Sequence, residues 1–149
     1  MEEIGRLARK LHPMMLEDHG LGFALSRYVA EYRETHKIAV HLTPSGIGSG
    51  NLPLAVQISL YRILQEALTN VARHSGAKNV SIRFTRSATA LKVAVIDDGC
   101  GFDAKAVAVS SHRLGIQGMR ERAAMLGGTV SFTSQGKGTR VLVQIPLHD

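Results

Sequence analysis

Between Leu91 and Val95 every second residue is apolar, the signature of a strand with one face buried. The run then drives straight into Asp97-Asp98-Gly99-Cys100-Gly101. This junction constrains the fold more than any other stretch. An acid at the end of a buried strand must emerge at the margin of a sheet, where a turn or a semi-buried pocket receives it. Asp-Gly is by itself a strong turn signal, so the junction alone is satisfied by a tight turn after an edge strand.

The rest of the chain supplies the partners for such a strand. Helical periodicity runs over residues 4–16, broken by Pro13, and again over residues 22–35 with Phe23, Leu25, Tyr28, Val29 and Tyr32. A short strand, residues 38–42, leads into the Pro- and Gly-punctuated loop of residues 43–53. A long helix is predicted for residues 54–74, closed by Ser75 and Gly76, with Ile58, Tyr61, Leu64, Leu68 and Val71 as its core stripe. Residues 79–85 and 90–97 alternate as a hairpin, residues 99–118 show no period, and residues 119–126 form a short helix stopped by Gly127 and Gly128. Residues 129–134 and 140–147 complete a last hairpin. Helices first and strands after, with one helix inserted, predict an α+β two-layer sandwich: a mixed, mainly antiparallel sheet covered on one face by helices.

The chain's 149 residues, 44% of them hydrophobic, suffice for one core and not comfortably for two. A single cysteine excludes an intrachain disulfide framework, and no Cys/His spacing resembles a zinc site. No run reaches the roughly 18 apolar residues of a membrane span, so the expected location is cytoplasmic. A net charge of +6 suits a polyanionic ligand such as nucleotide phosphate. Nucleic acid is not expected, since 5% aromatic content leaves few stacking residues and no basic recognition helix is evident.

On the long helix, Glu66 and Asn70 lie four residues and therefore about 40° apart around the axis. Arg73 and His74 flank the same polar line one turn on. An ionised aspartate at the strand's end accepts hydrogen bonds only, so its natural ligand partner is a donor such as the exocyclic amine of adenine. Gly99 and Gly101 let backbone approach a flat ligand closely.

Four segments, QEALTNVARHSGAKNV, VIDDGCGFD, LGIQGMRERAAMLGG and QGKGTRVLVQIP, resemble in order and spacing the nucleotide boxes of the ATP-binding domain of sensor histidine kinases. The third box is similar to that of the nitrate and hexose-phosphate sensors. The resemblance covers residues 54–147 and implies the Bergerat fold, with residues 1–20 as the end of a dimerisation-hairpin helix and linker and residues 21–149 as the catalytic domain. It implies that Asp97 accepts the adenine amine with Asp98 as its neighbour, that Asn70 holds magnesium, and that Glu66 orients or deprotonates the attacking group. It further implies nucleotide contacts for Arg73, His74, Gly99, Gly101, Thr139 and the lid glycines Gly115 and Gly118, with the lid itself over residues 102–114.

The resemblance also implies a reaction and its partners. The γ-phosphoryl of magnesium-bound ATP passes to a histidine on a separate dimerisation domain, and from there to a response regulator. The parent protein is implied to be dimeric and membrane-linked. Two other activities share the fold: serine phosphorylation of the anti-sigma-factor type, and nucleotide-gated interaction without transfer. The lid motif departs from the family pattern at Arg113, where glycine is usual. His12 is followed by Pro13 rather than by an acid, which sets it apart from a phosphoacceptor, and the segment holding Lys137 is not a Walker loop.

Overall fold

A computed structural model describes residues 13–43, 52–100, 110–134 and 138–147. Residues 4–12 of the first predicted helix, His12 among them, with Gly101, Lys137 and the greater part of the predicted lid and of the loop at 43–53, lie outside these. Helix α1, Pro13–His36, leads to β1, Ala39–Thr43. Helix α2, Leu54–Asn70, continues as a π turn, Val71–Ser75. The hairpin β2, Asn79–Arg86, and β3, Ala90–Asp97, precedes α3, Ser110–Met125, and the chain closes with β4, Thr129–Thr133, and β5, Thr139–Pro146.

The five strands form one sheet in the order β1-β2-β3-β5-β4. Among the described residues only β1 and β2 run parallel. The other pairs are antiparallel, so the architecture is the mixed two-layer α/β fold predicted. The β3 strand sits at the centre because its inward residues, Leu91, Val93 and Val95, meet apolar partners on both sides: Val95 lies opposite Ile82 and Val141, and Val93 opposite Phe84 and Val143. Helix α2 lies over them with Leu60, Ile63, Leu64 and Leu68 fully buried. Each such side chain contributes about 1.5–3 kcal/mol of transfer free energy.

The structure refines the periodicity reading at three places. Helix α1 is described from Pro13 onward and is interrupted at Gly20, with φ 85° and ψ 169°. The buried arc of α2 is wider than one stripe: Leu60, Ile63 and Ala67 join Tyr61, Leu64 and Leu68, while Ile58 is only half-buried. The helix packs against α1 and α3 and shares one buried core with the sheet. Helix α3 begins nine residues before the predicted Met119. Its core contacts are Ile116, Met119 and Ala123, at spacings of three and four, a helical period that the intervening small and polar residues conceal. The helix ends as predicted, with the Gly128 N–H on the Ala123 carbonyl and the Gly127 N–H on that of Ala124, the paired bonds of a Schellman cap.

Candidate functional site

The site forms where the end of the sheet meets the end of α2. In the β3–β5 pairing, Asp97 stands directly opposite Thr139. One step into the sheet on the same face lies the row Val95, Val141 and Phe132. Asp97, Thr139, Val141 and Phe132 floor a cleft enclosing about 470 Å³, open solvent at its mouth included. Ala67, Asn70, Val71, His74 and Ser75 wall it from the helix side, and Ile116 of α3 closes the far flank. The floor and walls are mainly apolar. Asp97, Asn70, His74, Ser75 and Thr139 interrupt them.

Asp97 is 7% exposed. Its Oδ1 accepts the Gly99 N–H at 2.8 Å. Burial raises its pKa above the ordinary carboxylate value, and the N–H groups of Gly99 and Thr139 oppose that rise without cancelling it. Its neighbour points the other way. Asp98 accepts the backbone N–H groups of Lys78 and Asn79 at 2.9 Å each, and the Asn79 side-chain amide at 2.8 Å. These donors, the Asn79 side chain foremost, hold its pKa below the ordinary value. One acid therefore faces the cleft and the other clasps the start of β2.

Gly99 is required by close approach. A Cβ there would overlap the Ser75 carbonyl oxygen and side chain. That carbonyl accepts the Cys100 N–H at 2.9 Å, while the Ser75 hydroxyl donates to the Val71 carbonyl at 2.8 Å and accepts the Ala77 N–H at 3.1 Å. The π turn and the segment after Asp97 are thus joined backbone to backbone. Such turns are rare and recur at functional sites.

Four of the sequence-predicted residues, Asn70, His74, Asp97 and Thr139, share the cleft. Glu66 stands one helical turn before Asn70 and abuts Gly115, where a Cβ would overlap its Oε1. Arg73 is exposed on the π turn and is not among the lining residues. Gly115 and Gly118 lie inside α3, where their N–H groups belong to the helix ladder and not to a free N-terminus. A Cβ at Gly118 would meet nothing. The lining residues that sequence reasoning missed are Ala67, Val71, Ser75, Ile116, Phe132 and Val141. Strand alternation in β4 and β5 signals the inward face of Phe132 and Val141, but nothing in the sequence marks them as lining a cleft. The Arg120 guanidinium lies 5.3 Å from the centre of the Phe132 ring.

A cleft between a central strand ending in a buried aspartate and a helix ending in asparagine places the chain in a class of ATPases. It belongs to the histidine kinase-, DNA gyrase B- and HSP90-like ATPase family, whose sequence model matches residues 55–149. Within that class the chain is similar to the sensor histidine kinase LiaS of Bacillus subtilis, 36% identical over 148 residues that cover 97% of this chain and 39% of LiaS. It is also 34% identical to the signal transduction histidine-protein kinase/phosphatase DegS of Brevibacillus brevis, over 99% of this chain and 38% of that protein. The chain thus spans about two fifths of the length of these relatives. Among solved structures, the histidine kinase domain of the blue-light activated kinase of Erythrobacter litoralis aligns at a TM-score of 0.72 and 25% identity, over 85% of this chain and 61% of that one. Among the described residues, no helix is long and apolar enough to cross a membrane.

Proposed function

We propose that the chain is the ATP-binding catalytic part of a two-component sensor histidine kinase. It transfers the γ-phosphoryl of magnesium-bound ATP to a histidine on a dimerisation segment, from which a response regulator is served. The observation that carries this reading is the buried Asp97 carboxylate, anchored on the Gly99 N–H at the floor of a mainly apolar cleft. An apolar slot ending in one fixed acceptor suits a purine ring with an exocyclic amine. Thr139 meets the same ring from the neighbouring strand.

The phosphates extend from there towards the end of α2 and towards α3, where the open space beside Gly118 admits close approach. His74 and Arg73 on the π turn, together with Gly99, Gly101 and Gly115, complete the nucleotide contacts. The donor set fits magnesium, because the Asn70 side chain lining the cleft offers a hard amide oxygen of the kind this ion prefers. Bound there, the ion neutralises charge on the phosphate oxygens. Glu66, one turn back, takes the proton or fixes the orientation of the attacking imidazole. The protein contributes position and charge, not a covalent intermediate.

The remaining reading concerns the parent protein. Residues 1–20 end a dimerisation hairpin and residues 21–149 form the catalytic domain, a division supported by the interruption of α1 at Gly20. The run Gly118-Met119-Arg120-Glu121-Arg122-Ala123 supports kinship with the nitrate and hexose-phosphate sensors. The parent is a dimer linked to the membrane, with this part on the cytoplasmic side.

The test is thermal unfolding with and without a non-hydrolysable ATP analogue, each with and without magnesium. Ligand that binds only the native state raises its apparent stability. At about 100 times Kd the gain is about 2.7 kcal/mol, and the reading requires a larger gain with magnesium. No shift in either condition refutes it.

A further inference from the structure

The hydroxyl of Tyr32, deep in the α1–α2 interface, donates to the Leu68 carbonyl of α2 at 2.8 Å. Burial raises the phenol well above its ordinary pKa, so it remains a protonated donor. The same carbonyl shares the Val71 N–H with that of Ala67. A side chain inserted into the helical ladder is one of the few recognised causes of departure from α geometry. Here the departure follows directly, in the π turn Val71–Ser75. Three consequences for the cleft depend on that turn: His74 reaches the lining, Ser75 closes the wall, and the Ser75 carbonyl takes the Cys100 N–H just past Asp97. Tyr32 itself is not among the lining residues.

We propose that Tyr32 is a positioning residue, through which α1 sets the last turn of α2 and with it the wall of the nucleotide cleft. Its aromatic neighbours fix the ring: His36 lies 4.6 Å away and Tyr28 6.2 Å, centroid to centroid, and Tyr28 in turn meets Tyr61 of α2 edge-on at 6.1 Å. Helix α1 therefore grips α2 through an aromatic cluster, and the directed bond from Tyr32 falls next to the irregular turn. A displacement of α1 reaches Ser75 and the Asp97 segment without any contact between α1 and ligand. The binding part of this inference rests on the nucleotide reading above; the structural part does not.

The experiment compares the wild-type chain with Tyr32→Phe, which keeps the ring and removes the bond, and with Val29→Ala, which trims the same buried face of α1 and keeps the hydroxyl. Tyr32→Phe is expected to weaken binding of an ATP analogue about 5-fold by calorimetry, a coupling at the low end of linked elements. It should also accelerate solvent exchange of the Cys100 amide about tenfold while the β2–β3 amides keep their protection. Val29→Ala should lower Tm with neither change. If Tyr32→Phe matches wild type in both readouts, or if Val29→Ala reproduces both effects, the positioning role is refuted. If the wild type binds no ATP analogue, the nucleotide reading has failed, and Cys100 exchange alone decides for or against Tyr32.

Discussion

Replacing Asp97 by asparagine separates the cost of the buried acid from its use. In the folded protein Oδ1 already accepts the Gly99 N–H, so an asparagine must keep its amide oxygen there and turn its NH2 towards the cleft. An adenine amine then meets a donor where it needs an acceptor. The loss is one charge-assisted hydrogen bond, about 1.5–3 kcal/mol, or about 10- to 150-fold in Kd. Stability moves in the opposite direction. Because the folded-state pKa of Asp97 is raised, ionisation disfavours the fold: the penalty is absent below the unfolded pKa and fully present once pH exceeds the folded one. Asp97→Asn removes that penalty, so without ligand the variant should melt at or above the wild-type temperature at pH 7. That advantage should shrink as pH falls through the folded and then the unfolded pKa. Calorimetric titration with an ATP analogue and thermal melts across pH 3–8 read both halves. Unchanged affinity, or a ligand-free variant several degrees less stable than wild type at pH 7, would refute the reasoning.

Other substitutions probe the supports of the site. Gly99→Ala forces a Cβ into the Ser75 carbonyl and should destabilise by about 1–3 kcal/mol, measured by urea unfolding. Gly115→Ala meets only the end of the Glu66 side chain, which can swing aside, and alanine favours a helix by about 1 kcal/mol over glycine. Stability should hold or rise, while phosphotransfer to an added dimerisation segment falls because Glu66 has been displaced. Asp98→Ala removes three accepted hydrogen bonds. Since the folded pKa of Asp98 is lowered, its stabilisation is present above the unfolded carboxylate pKa and lost as pH falls through the folded one. The Tm deficit of this variant should therefore be full at pH 7 and close in acid.

Local pattern carried most of the fold. Both hairpins appear within a residue or two of their predicted ends because inward apolar residues recur at every second position in β2, β3 and β5. Helix α2 was legible for the same reason at the helical period. What escaped was set by tertiary contact. The onset of α3 at Ser110 depends on Ile116 and Met119 finding the core, in a stretch whose own composition has no stripe. The π turn is likewise invisible in the residues Val71 to Ser75, since the donor into the ladder just before it, Tyr32, lies 36 positions before Leu68. At the site, the acid and the helix polar line could be named because carboxylates and amides are scarce in apolar surroundings. Phe132 and Ile116 could not, because a wall residue of a cleft looks like any core residue until the cavity beside it is known.

The two adjacent carboxylates at the end of β3 divide their labour by the simplest property of an extended chain, that neighbours face opposite ways. Exchanging their tasks would require the whole strand to slide one rung, which would turn Leu91, Val93 and Val95 into water. Correct folding and correct presentation of the ligand acid are thus one event. A misregistered chain betrays itself through its hydrophobic residues before it ever meets a nucleotide.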